Sequence, residues 1–296
     1  MSRIAILADV HGNLPALEAV VADVARQRPD EVLVGGDLVG RGPGGSAVVR
    51  RIRELGWPSI KGNHEDYLLD FRAGRVPEDW LFTEEWSAAR WMAAELGEDE
   101  AAFIAGLPFS LTPEGDPGLR LVHGSPRSAN EGLGPWSTDG ELEVSLAQVE
   151  EDLLVCGHTH RPMLRRLAGG TVVNVGSVGL PFNRDRRAQY AIFQSRPGGF
   201  EVELRQVPYD LEEIFALYAS SGFEAEGGAT TRLLRLELEH ATPFLVPFLR
   251  WAKAQGVAPV AGRIDDFLAF FRPDEPLRGF FARLDRLASR EAAAAR

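Results

Sequence analysis

The chain has 296 residues, 45% of them hydrophobic and 25% charged, which are ordinary values for a globular protein with a sizeable core. A net charge of −11 and a pI near 5.1 argue against a general nucleic-acid or membrane-binding surface. The single cysteine, Cys156, excludes an internal disulfide framework. The first apolar run stops at Asp9, too short for a signal peptide, and no run reaches the roughly 18 residues of a membrane span, so a cytoplasmic location is expected.

In chain order, short apolar runs alternate with helical stretches, as an α/β core requires. Ile4–Ala8 reads as a strand and leads into Asp9-Val10-His11. Pro15–Arg26 carries a proline in its first turn and apolar Leu17, Val20, Val21 and Val24 at helical spacing. Glu31–Gly35 is the next strand, followed by Gly36-Asp37, and Gly45–Leu55 the next helix. Pro58–Ile60 reads as a third strand before Gly62-Asn63-His64-Glu65. Residues 64–106 are largely helical, with Trp80, Trp86 and Trp91 spaced for core packing. Leu119–Val122 precedes His123, and Leu153–Cys156 precedes Gly157-His158-Thr159-His160. Between them, Ser125–Gly140 is a Gly/Pro/Ser-rich loop carrying Trp136. Strands resume at Thr171–Val175, Gln189–Phe193 and Glu201–Gln206.

The composition shifts at Val207-Pro208. Asp210 with Glu213 resembles a capping box opening a helix through Ala219. Thr242-Pro243 opens another, with Pro247 expected to bend it. Phe267, Phe270 and Phe271, then Phe280, Phe281, Leu284 and Leu287, mark two further amphipathic helices, and the Ala-rich end 291–296 is expected to fray. This divides the chain into a catalytic domain, 1–207, and a helical extension, 208–296, that could cap the site, self-associate or bind a partner.

Five of the six histidines lie in the clusters that follow strands; only His240 stands apart. Residues just past strand ends gather along one edge of an α/β sheet, where ligands bind. Asp9, His11, Asp37, Asn63, His123, His158 and His160 offer seven nitrogen and oxygen donors. That is too many for one tetrahedral ion, and no thiolate is among them, which argues against a structural zinc site. Shared between two ions with one bridging carboxylate, the set fits borderline metals such as manganese, iron or zinc, manganese first, with nickel or magnesium as alternatives. Two such ions about 3.5–4 Å apart clamp the attacking and leaving oxygens of a phosphoryl centre and make hydroxide available at neutral pH.

In this order, each after a strand, the motifs resemble those of the calcineurin-like metallophosphoesterases: D-x-H, G-D, G-N-H-[DE], H and G-H-x-H. Ala8–Asn13, the His123-Gly124-Ser125-Pro126 turn and Asn174-Val175-Gly176-Ser177 with Pro181 resemble the small bacterial branch of YfcE-like phosphodiesterases. The resemblance covers residues 1 to about 207. It implies a two-sheet α/β sandwich flanked by helices. Asp9, His11 and His160 would hold one metal, Asn63, His123 and His158 the other, and Asp37 would bridge them. His64 would be the catalytic histidine that contacts the phosphoryl group instead of metal.

Gly36–Pro43 departs from the simplest phosphodiesterase pattern. Arg41 stands where small phosphodiesterases often carry tyrosine, and there it resembles the phosphate-gripping arginine of diadenosine-tetraphosphate hydrolases and serine/threonine phosphatases. A guanidinium fork suits two phosphate oxygens, although a solvated turn arginine fits equally. The protein-phosphatase pattern also wants an acid where Gly40 stands. Arg127, Arg161, Arg184, Arg186 and Arg187 lie near the same edge, but with 30 arginines against two lysines each alone says little. Trp136, in a long loop beside the site, is a candidate for stacking on a base.

The expectation is a binuclear-metal phosphoesterase in which activated hydroxide attacks a phosphodiester or nucleotide in line. Dinucleoside-polyphosphate hydrolysis and monoester or protein phosphatase activity are the alternatives. A non-catalytic scaffold of the same fold is a third, opposed by His64 and the full ligand set.

Overall fold

Residues 3–7 and 31–34 pair in parallel, and Ile4–Leu7 with Leu33 and Val34 are apolar and buried whichever face they take, which is how parallel strands read. The computed structural model describes residues 2–273 and 275–294, with side chains through residue 286. The elements begin β1 (Arg3–Leu7), α1 (Leu14–Gln27), β2 (Glu31–Val34), α2 (Gly45–Leu55), α3 (Asn63–Arg72), α4 (Ser87–Glu95) and α5 (Glu98–Ala105). They continue with β3 (Ser110–Leu111), β4 (Leu119–Val122), α6 (Asp139–Leu146), β5 (Leu153–Cys156), β6 (Met163–Leu167), β7 (Gly170–Asn174), β8 (Ala188–Arg196) and β9 (Gly199–Val207). Helices α7 (Leu211–Ser220), α8 (Phe223–Glu226), α9 (Gly228–His240), α10 (Leu245–Ala254), α11 (Ile264–Phe270) and α12 (Leu277–Ala294) follow.

Among the described residues the strands form two sheets, ordered β2-β1-β8-β9 and β3-β4-β5-β7-β6. The period of two in a strand decides what each residue meets. Ile4 and Ile6 face the second sheet, meeting Leu119, Leu121, Leu153 and Val155 in the inter-sheet core. Ala5 and Leu7 point the other way, into a core built with α1, α2 and α4. On the second sheet Leu154, Cys156 and Val172 face outward against Leu142 and Leu146 of α6. The result is the expected α/β sandwich flanked by helices.

Several expectations need correcting. Pro58–Ile60 is no strand; it makes one isolated bridge, Val34 with Ser59. The short strands β3 and β6 were not anticipated, since two residues and an Arg-rich run give little apolar signal. The loop after His123 gives way to α6 at Asp139, where Thr138 caps the helix by accepting from the Glu141 amide. Pro247 falls in the first turn of α10, where its missing N–H has no partner to lose. Asp210 caps α7, but through the amide of Glu212.

The C-terminal helices divide their packing. Ile214, Phe215, Tyr218, Phe223, Leu234 and Leu238 join the core of α1, α2 and α4. Phe244, Phe248, Trp251, Phe267, Phe271 and Phe280 form a separate aromatic cluster. Helix α12 runs to Ala294; residues 295 and 296 and the side chain of Leu287 lie outside the described part. Among the described residues no helix is long and apolar enough to cross a membrane.

Candidate metal centre

The loops after β1 and β2 are laced together by backbone bonds. The amides of Asp9, His11 and Gly12 donate to the carbonyls of Gly36, Asp37 and Leu38 at 3.0, 3.0 and 2.9 Å. To follow this path the chain adopts left-handed backbone at Asp9, His11, Asp37, Arg41, His158 and His160, with φ between 52° and 65°. Aspartate and histidine tolerate that region better than most residues, but it still costs energy, and such residues collect where function requires them.

Two groups of donors result. Asp9, His11, Asp37 and His160 form one, and Asp37, His123 and His158 the other; within each group the ligand atoms lie within 4.8 Å of one another. Asp37 belongs to both. Its Oδ1 accepts from the His64 amide at 2.9 Å. Its Oδ2 faces His11 Nε2 at 3.6 Å and His123 Nε2 at 3.3 Å. Asn63 Oδ1 adds to the second group, 3.0 Å from His123 Nε2 and 2.9 Å from His158 Nδ1. The structure thus brings all seven sequence-selected residues together.

The ring orientations test whether cations fit. Nδ1 of His11, His123 and His160 contacts the carbonyls of Val39, Gly35 and Leu180 at 3.1, 2.8 and 2.6 Å. A carbonyl can only accept, so each Nδ1 carries a proton, and in the neutral ring each Nε2 turns a lone pair inward. Nε2 of His11 and His160 then stand 3.0 Å apart, lone pair against lone pair. Such convergence of acceptors is relieved by positive charge. Burial pushes His11 well below its ordinary value and His158 to about 4, so both are neutral donors. At His123 burial is outweighed by Asp37 and Asp9, which raise it to about 10; the carboxylates call for a cation here. The donor set fits two divalent ions.

Glu65 has a role not read from the sequence. Fully buried, its carboxylate accepts from the amides of Asp37 (2.9 Å), Leu38 (2.7 Å), Val39 (3.4 Å) and Gly62 (2.6 Å). Burial and the nearby Asp37 charge push its carboxyl up to about 7 while those amides oppose the shift. Each partner is an N–H, which a protonated oxygen could not satisfy, so the ionised form is the one this pocket holds. The signal was present: an acid three residues after a helix N-cap reaches back to that residue's amide.

His64 belongs to neither donor group. Its Nε2 accepts from Arg41 Nε at 3.3 Å, and its buried Nδ1 has no hydrogen-bond partner. A Cβ on Gly40, whose φ is +80°, would lie 2.4 Å from that Nδ1. No acid could stand at position 40 without displacing His64, so the carboxylate that the protein-phosphatase pattern wants has no room. Arg41 Nη1 pairs with Glu237 of α9 at 3.2 Å, and the Arg41 carbonyl accepts from the Tyr218 hydroxyl at 3.1 Å. Glu237 is fully buried and also accepts from the amides of Phe244 and Leu245. Arg41 is therefore a fixed side chain and not a solvated turn residue. Asn63, His64 and Arg41 line a cavity of about 240 Å³.

Trp136 does not line that cavity. It is 57% exposed, lies under the Arg161 guanidinium, and lines a second groove with Gly132 and Val144. The cavity beside His64 is lined instead by Trp86, which stacks on Trp80 with ring centres 3.7 Å apart. Of the other arginines, Arg127 pairs with Glu131, Arg187 with Asp185, and Arg161 donates to the Phe182 carbonyl.

Paired carboxylate and imidazole groups around a shared aspartate, at the loop edge of a two-sheet sandwich, define the binuclear metallohydrolase class. The profile of the calcineurin-like phosphoesterase superfamily domain matches residues 2–197, and the chain belongs to that family. It is 27% identical over 233 residues to the uncharacterised protein MJ0912 of Methanocaldococcus jannaschii, covering 72% of this chain and 90% of that one. A crystal structure of a metallophosphoesterase from Sphaerobacter thermophilus superposes with a TM-score of 0.67 at 28% identity, over 81% of this chain and 99% of that one. Protein PH1004 of Pyrococcus horikoshii shares the fold, with a TM-score of 0.69 at 20% identity over 82% and 100% of the two chains. A local stretch of 73 residues, 23% of this chain and 25% of its counterpart, is 41% identical to the symmetrical bis(5'-nucleosyl)-tetraphosphatase of Serratia proteamaculans.

Proposed function

We propose that the protein hydrolyses an organic phosphoester, a phosphodiester or nucleotide, with two divalent ions, manganese first among them. Asp9, His11 and His160 hold one ion, Asn63, His123 and His158 the other, and Asp37 bridges. The observation that carries this reading is the sharing of Asp37 Oδ2 between both donor groups, beside a histidine that joins neither. When bound, the ions supply activated water and neutralise phosphoryl charge. Arg41, held by Glu237, offers its guanidinium to phosphoryl oxygens. Burial pushes His64 down to about 3, so the free ring is neutral, which favours hydrogen bonding to the phosphoryl group or leaving oxygen over release of a stored proton.

A second reading, dinucleoside-polyphosphate hydrolysis, is favoured by Arg41 and by the local likeness to the Serratia enzyme. Metal analysis with a screen of bis-p-nitrophenyl phosphate, p-nitrophenyl phosphate and diadenosine tetraphosphate separates the two. His64→Ala should keep both ions and lose turnover by about 10²–10³-fold, the range for a lost hydrogen-bond donor to developing oxygen charge. Near-normal turnover in that variant would remove His64 from the reaction, and no turnover of any ester by the wild type would restore the scaffold alternative.

A further inference from the structure

The cavity beside His64 has two kinds of wall. At its metal-facing end stand Arg41, Asn63 and His64; away from it the lining turns apolar, through Trp86, Leu234, Leu245, Val246 and Leu249. Four of those five apolar residues come from α9 and α10, past the end of the matched family profile at residue 197. The wall is anchored as well as adjacent. Glu237 ties Arg41 to α9 and, through the amides of Phe244 and Leu245, to the start of α10. Trp86 is backed by Trp80, which fixes its ring. One carboxylate, Glu85, also lines the space.

We propose that this cavity binds the organic group of the ester, a flat and largely apolar ring such as an aryl group or a nucleobase, and that α9 and α10 supply the wall that selects it. Volume decides the class of occupant. An apolar cavity of about 150 Å³ holds benzene, so about 240 Å³ takes one ring system and is too small for a folded peptide segment. Charge decides the orientation. Asn63 belongs to the second donor group and His64 adjoins it, whereas Val246 and Leu249 belong to α10, so an anionic phosphoryl group points to the metals and the ring to the apolar wall.

This inference rests on the phosphoesterase reading, and binding measurements keep the two apart. Manganese-loaded protein is titrated calorimetrically with phenylphosphonate, methylphosphonate and an adenosine analogue whose 5′ oxygen is replaced by CH2 so that the phosphonate is joined through a C–P bond, none of them hydrolysable. Phenylphosphonate should bind at least about tenfold more tightly than methylphosphonate, the scale expected for burying one ring. The uncharged double variant Val246→Thr/Leu249→Gln should erase that preference and leave methylphosphonate affinity unchanged. If the double variant fails to fold by thermal melting, Val246→Thr alone should shrink the preference, since Val246 is 40% exposed and tolerates polarity. Tighter binding of the adenosine compound than of phenylphosphonate assigns a nucleobase; the reverse assigns a simple aryl group. Equal affinity of the wild type for phenyl and methyl compounds, or a preference that survives in the variants, overturns the inference while the phosphoesterase reading stands. Failure of all three phosphonates to bind overturns both.

Discussion

Replacing Glu65 with glutamine changes one oxygen to an amide and should disable the centre without touching a ligand. The two carboxylate oxygens divide four amides: Oε1 serves Leu38 and Val39, Oε2 serves Asp37 and Gly62. In Glu65→Gln the new NH2 group must face one pair, donor against donor. Two buried amides are then unsatisfied at about 1–3 kcal/mol each, roughly 2–6 kcal/mol together. That is a large part of a total stability of about 5–15 kcal/mol. At roughly 2–4 °C per kcal/mol for a chain of this class, Tm should fall by about 5–20 °C. Displacement of 37–39 also loosens His11, whose amide donates to Asp37 and whose ring donates to Val39. Thermal melts followed by circular dichroism, with elemental analysis of both proteins, test this. A variant melting within about 2 °C of the wild type, with two ions bound, would refute the argument that Glu65 organises the Asp37 loop.

Three further outcomes are expected. Asp37→Asn should lower occupancy of both ions together, because both donor groups share that carboxylate; two tightly held ions on elemental analysis would end its bridging role. Arg41→Ala leaves the buried Glu237 without its cation and should destabilise the fold by about 1–3 kcal/mol in urea titrations. Adding Glu237→Gln should recover stability but not turnover, and recovery of both would show that Arg41 acts on structure alone. At Asp23 burial pushes the carboxyl up, but hydrogen bonds from Arg205, Tyr190 and Arg26 outweigh it and hold the group below its ordinary value. Its stabilisation is therefore full above the unfolded pKa of about 4 and is lost as pH falls through the lower folded value. The stability gap between wild type and Asp23→Asn should be open at pH 7 and narrow at about pH 3, and an unchanged gap would contradict the assignment.

The ligand cluster was legible because strand ends and scarce histidines are both visible in one dimension. Helix α2 and strands β4 and β5 coincide with their expected ranges for a related reason: clear apolar periodicity between glycines and polar turns. What burial is set against is less visible. Helix α9 was not anticipated, and nothing in the spacing of its Leu234 and Leu238 says that they close on the core beneath α1 and α4. Glu237 lies 196 residues from the Arg41 it grips, and Tyr218 lies 177 residues away. Pairings at that range follow from topology, which local pattern does not carry. Trp136 and Trp86 show the same limit, since both are aromatic residues near the site in sequence terms but only one lines the His64 cavity.

The left-handed backbone at Asp9, His11, Asp37, Arg41, His158 and His160 also bears on any attempt to build this centre in another scaffold. Writing the same six residues onto conventional loops would aim their side chains elsewhere. Each would relax toward negative φ, regaining about 1–3 kcal/mol and losing its direction. The transferable unit is thus the interlocked loops 8–13 and 35–41 with the 157–160 turn, whose His158 amide donates to Asp9, together with the buried acid that holds the amides of 37–39. A design that copied ligands alone would reproduce the composition of the site and none of its geometry.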